Sequence, residues 1–74
     1  MDSEKLKLKQ ILSRNMKKYR AQRRVTQEQA AEQAGLTVKY WQRLEMVSQS
    51  DLPSLPGLTK IAKASKIKLH QLFL

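Results

Sequence analysis

The 74-residue chain contains no cysteine, which removes both a disulfide framework and any thiolate metal site. The absence fits a reducing compartment, and a cytoplasmic location is expected. Histidine occurs once, at position 70, with no second ligand or acid-base partner beside it in sequence. Gly-rich phosphate loops, nucleophile motifs and metal-ligand spacings are missing as well, so no catalytic residues, no metal and no cofactor are expected. No apolar run has the form of a secretory leader or the length of a membrane span. Glycine and proline number two each, so the chain has few places to break regular structure. Alternating polar and apolar residues are nearly absent, which argues against strands.

Basic residues are present in excess. Lysine and arginine total 15 against six acidic residues, a net charge of +9. Residues 1–24 hold nine basic and two acidic groups. A surplus this large on a short chain points to a polyanionic partner, either nucleic acid or an anionic membrane surface. Hydrophobic residues make up 41%, enough for one small core and too many for a disordered tail. Residues 1–74 are therefore read as a single domain, with residues 1–7 a candidate basic arm.

Apolar spacing predicts five short helices and no sheet. In the first, from Glu4 to Arg23, Leu8, Leu12, Met16 and Tyr19 recur at three- and four-residue steps and form the inward stripe, with the lysines off it. Thr26-Gln27-Glu28-Gln29 has capping-box form and opens a second helix carrying Ala30, Ala31 and Ala34. Gly35 suits the left-handed residue that ends it, followed by Leu36 in the turn. Thr37 caps a third helix, Val38 to Met46, with Trp41 and Leu44 inward. Val47 to Pro53 reads as a loop. Pro56 suits the first turn of a fourth helix, with Leu58, Ile61 and Ala62 inward. Ile67 and Leu69 precede a short last helix with Leu72 and Phe73.

The most informative stretch is TQEQAAEQAGLTVKYWQRLE, residues 26–45. Two short helices joined by a tight glycine turn, locked by Ala30, Leu36, Trp41 and Leu44, leave one face of the second helix free. Here the chain resembles the phage repressor and Cro (XRE) family of helix-turn-helix proteins, over roughly residues 12–73. Gln27, Ala31, Gly35, Leu36 and Glu45 stand at positions typical of that family. Pro53-Ser54-Leu55, Leu58 to Ala64 and Ile67 to Leu72 resemble its later helices. The chain departs from the pattern in several places. The loop after Glu45 is about two residues longer than usual and holds no lysine or arginine. Arg24 and Lys66 replace common glycines, and Ser65 replaces a common leucine, which suggests a weaker core near the fourth helix.

The resemblance implies an all-α, lambda-repressor-like fold and a non-enzymatic, sequence-specific contact with double-stranded DNA. Val38, Lys39, Gln42 and Arg43 are the candidates for reading base edges. Arg43 leads because a guanidinium fork matches the two major-groove acceptors of guanine. Lys39 suits phosphate as well as base, and Tyr40 suits either a phosphate contact or packing against the first helix. Gln27, Thr37, Tyr40 and Lys17 are the phosphate candidates, with Thr37 a cap first. Arg20 and Glu45 are expected to form a structural pair. The resemblance further implies a homodimer on a near-palindromic operator, repression as the commoner outcome, and a prokaryotic or phage origin. Leu69, Leu72, Phe73 and Leu74 serve either a dimer contact or closure of the core. The rival reading is a protein-interaction module of the same fold, an antitoxin or adaptor.

Overall fold

The computed structural model describes residues 3–74, and among these there is no strand. Four α-helices, α1 (Ser3–Arg23), α2 (Gln27–Ala34), α3 (Val38–Leu44) and α4 (Leu55–Ser65), precede a C-terminal 3-10 helix (Leu69–Phe73). The short last helix is thus of the 3-10 type. Five residues suit this tighter winding, which satisfies short segments with i to i+3 bonds.

The core consists of Leu12, Met16, Ala30, Ala31, Ala34, Trp41, Leu44, Ile61, Ala62 and Leu72. Trp41 is its largest member and is 1% exposed. Alanines supply all three buried positions of α2, so the neighbouring helices approach it closely. Asn15 is buried on α1 and donates from Nδ2 to the carbonyls of Leu72 (2.8 Å) and Leu74 (3.2 Å), which ties the C-terminal turn down.

The inward face of α1 differs from the expected stripe. Leu8 is 43% exposed, whereas Lys9 is fully buried together with Leu12, Ser13, Asn15 and Met16. A 21-residue helix runs about 31 Å at 1.5 Å per residue, well beyond the 7–11 residues of the helices it packs against. From Ser3 to Leu8 no side chain is buried. The stretch read as a basic arm is helical from Ser3 onward, while Met1 and Asp2 lie outside the described residues.

Local signals account for the helix boundaries. Thr26 Oγ1 accepts from Gln29 N (3.1 Å) and Gln29 Oε1 accepts from Thr26 N (2.9 Å), a complete capping box. Ser54 starts α4 by accepting from Gly57 N, with Pro56 in the first turn. At the other ends, Arg24 (φ 56°), Gly35 (φ 70°) and Lys66 (φ 60°) turn the chain in the left-handed region. Only Gly35 does so without a Cβ penalty. The third helix stops at Leu44 instead of Met46. Glu45 is drawn inward at its end, and Met46 is left 47% exposed.

Candidate nucleic-acid interface

The turn between α2 and α3 contains only Gly35, Leu36 and Thr37. Gly35 N donates to Glu32 O (3.0 Å) and Leu36 N to Ala31 O (2.9 Å), which satisfies carbonyls at the end of α2. Leu36 packs half-buried against the core. Thr37 then accepts from Tyr40 N at 3.1 Å and opens α3. The result is a helix-turn-helix arrangement with Trp41 and Leu44 pointing inward.

A buried carboxylate sets the position of α3. Glu45, 2% exposed, accepts from Arg20 Nε (2.9 Å) and Nη2 (3.1 Å) as a bidentate pair. It also accepts from Trp41 Nε1 (2.6 Å) and Gln27 Nε2 (3.0 Å). Arg20 additionally donates to Val25 O (3.3 Å). One side chain therefore joins α1, the start of α2, the core tryptophan and the end of α3. Burying a carboxylate is costly, and four donors, two of them from a cation, offset the cost.

The opposite face of α3 is open. Lys39, Gln42 and Arg43 are exposed, and no acidic residue lies between Thr37 and Leu44. Thr37, Lys39, Tyr40 and Arg43 line an open depression on this face. Tyr40 and Val38 are both partly buried against the core, so each contributes packing and an exposed edge. Gln27 sits half-buried at the first position of α2 with its amide turned onto Glu45. Lys17 is exposed on α1, one turn beyond Ser13, whose hydroxyl donates to Leu44 O at 2.6 Å.

Three polar residues at this site carry no apolar or motif signal in the sequence. Lys9 Nζ donates to Arg43 O (3.1 Å) and to Gln49 O, and so holds both the end of α3 and the loop that follows. Burial lowers the pKa of this ammonium below its ordinary value, with Arg43 acting in the same direction and Asp51 opposing it. Asp51 lies in that loop, with Oδ1 3.8 Å from Lys9 Nζ and Oδ2 3.3 Å from Arg43 Nη2. Ser13, the third, anchors Leu44 O as described. Elsewhere Arg23 donates to Gln33 Oε1 (2.8 Å) and Ala64 O, linking α1 to α2 and α4. Lys9, Arg20 and Arg23, nominally part of the basic surplus, are thus structural.

Together, the fold and this face define a small all-helical domain of transcription-factor type. No protein-family model and no curated protein matches the sequence. Among solved structures, the crystal structure of a hypothetical transcription factor, NHTF, from Neisseria is similar with a TM-score of 0.82. The two are 30% identical, over 90% of this chain and 75% of that chain. The chain belongs to the same family as the Neisseria protein. Among the described residues no helix is long and apolar enough to cross a membrane, and no group of three or more potential metal ligands occurs.

Proposed function

We propose that this chain is a transcriptional regulator of the phage repressor and Cro type that binds double-stranded DNA in a sequence-specific way. The observation that carries the reading is the exposed face of α3. Lys39, Gln42 and Arg43 project from a helix that holds no acidic residue and that the Glu45 network fixes in place. A helix presented in this way fits the major groove. Val38, Lys39, Gln42 and Arg43 read base edges. Thr37, Tyr40 and Lys17 contact phosphates at the rim. Gln27 contributes its backbone N–H at the start of α2, since its side chain is engaged with Glu45.

The regulator acts as a homodimer on a near-palindromic operator, with half-sites about one helical turn apart. Leu69 (36% exposed) and Leu74 (70%) are available for the dimer contact, whereas Leu72 is committed to the core. Occupancy beside a promoter then represses transcription.

Selection of tight binders from randomised duplex DNA tests this reading. The expected outcome is an enriched near-palindrome whose binding falls steeply with salt and is lost in Arg43→Ala. Weak binding with no enriched sequence would instead favour a protein-interaction module.

A further inference from the structure

The loop between α3 and α4 is unusual in composition for a segment beside a proposed DNA-binding face. From Met46 to Ser54 it contains no lysine or arginine, and its single charge is Asp51. An acidic group there is unfavourable for phosphate, so its placement calls for another explanation. The structure provides one. Asp51 Oδ2 lies 3.3 Å from Arg43 Nη2, and Arg43 is half exposed on the open face of α3. The other carboxylate oxygen, Oδ1, is buried without a hydrogen-bond partner and lies 3.8 Å from the Lys9 ammonium. Lys9 in turn holds the carbonyl of Arg43, in the last turn of α3, and that of Gln49, inside the loop and two residues before Asp51. The loop is thus folded so that its only charge meets the Arg43 guanidinium, while a buried lysine ties the loop to the end of α3.

We propose that Asp51 is a positioning residue for specificity: it orients the Arg43 guanidinium for a bidentate contact with guanine. The assignment rests on the functional reading above. A free arginine on an exposed helix explores many rotamers and settles on phosphate as readily as on a base. A carboxylate that engages one edge of the guanidinium limits those rotamers and leaves the other edge to face the groove. The loop gives up a phosphate contact and gains selectivity at one base pair. Lys9 offsets the charge of Asp51, so the carboxylate adds little repulsion toward the DNA backbone.

The test measures binding of the wild type, Arg43→Ala and Asp51→Asn to duplexes that carry the selected sequence or single-base-pair changes in it. The wild type is expected to prefer guanine at one position per half-site, and Arg43→Ala to lose that preference. Asp51→Asn should lower discrimination at that same position by roughly tenfold, within the range of a bidentate base contact. Its affinity for duplexes already lacking the guanine should be unchanged or tighter. If Asp51→Asn discriminates as well as the wild type, or weakens binding to all duplexes equally, the role of Asp51 is overturned while the functional reading stands. A wild type without any base preference overturns both. Should Asp51→Asn melt below the assay temperature, NMR of the wild-type Arg43 guanidinium decides the matter. Slow guanidinium rotation in the DNA-free protein, where no guanine restrains Arg43, supports the pairing; fast rotation there overturns it.

Discussion

Trp41 Nε1 donates to Glu45 Oε2 at 2.6 Å, one turn along the same chain segment, and both groups are buried. The contact links the largest core side chain to the carboxylate that also receives Arg20 and Gln27. Loss of Glu45 strands the indole N–H and frees Arg20 at once. Glu45→Ala should therefore cost about 3–5 kcal/mol, as for other buried pairs broken on one side. That is a large share of the total for a domain of this size, roughly 4–11 kcal/mol. Gln27→Ala removes one neutral donor of the four and should cost only about 1 kcal/mol. Urea denaturation of the two variants checks the order.

The three left-handed residues at helix ends predict opposite effects of substitution. Arg24 and Lys66 hold positive φ with side chains that disfavour it, whereas Gly35 holds it freely. Arg24→Gly and Lys66→Gly should each raise stability by about 0.5–1 kcal/mol, the left-handed penalty less the entropy cost of glycine. Gly35→Ala should lower it by about 1 kcal/mol, although a Cβ there meets open space. Thermal melts at matched pH distinguish the three.

Lys9 supplies a pH signature. Its folded pKa is lowered by burial, an effect that Asp51 partly opposes and Arg43 reinforces. Between that lowered value and the ordinary 10.5, the folded state has released a proton that the unfolded state still binds. Stability contributed by this group therefore rises as pH climbs through the window and is flat below it. Wild type compared with Lys9→Met should show an advantage that grows toward pH 10.5. A pH-independent difference would contradict the assigned environment. A 13C-NMR titration of the Lys9 side chain gives its midpoint directly.

A small void lined by Tyr19, Arg20, Arg23, Val25, Ala30, Trp41, Ala64 and Ser65 borders α4. It holds about 10 Å³, near the minimum for one water molecule. Ser65→Leu places apolar atoms against this region and should stabilise the domain by about 1 kcal/mol, the value of roughly one newly buried methylene. Calorimetry on the variant checks the sign.

The helix-turn-helix was legible from local chemistry. A capping box at Thr26 and Gln29, glycine at 35 and a second cap at Thr37 each act within a few residues, so periodicity and turn chemistry reveal them. The void beside Ser65 and the left-handed Arg24 and Lys66 were visible only as departures from the family pattern. Lys9 and Asp51 were not legible. Lys9 acts on residues 34 to 42 positions away, mainly through backbone carbonyls that carry no side-chain identity, and Asp51 meets Arg43 only because the loop folds back onto the end of α3. Composition assigns a lysine to solvent, and nothing local shows that α1 outruns its neighbours and so exposes Leu8 while burying Lys9. The tie from Asn15 to the carbonyls of Leu72 and Leu74 is equally distant, 57 and 59 positions along the chain, and was not legible either.

Phosphate and base contacts should separate in binding data. Lys17→Ala should weaken binding to all duplexes by a similar factor and reduce the log–log salt slope by about 1. Gln42→Ala should leave that slope unchanged and relax preference at one base pair, at a cost of about 1–3 kcal/mol. Filter binding at several salt concentrations measures both quantities.

Amide chemical-shift mapping on addition of the selected duplex tests the central claim most directly. The account predicts the largest shifts at Thr37 to Arg43 and at the start of α2, with little change at the exposed Leu8 end of α1. Shifts confined to the N-terminal turns of α1, with α3 unperturbed, would contradict it.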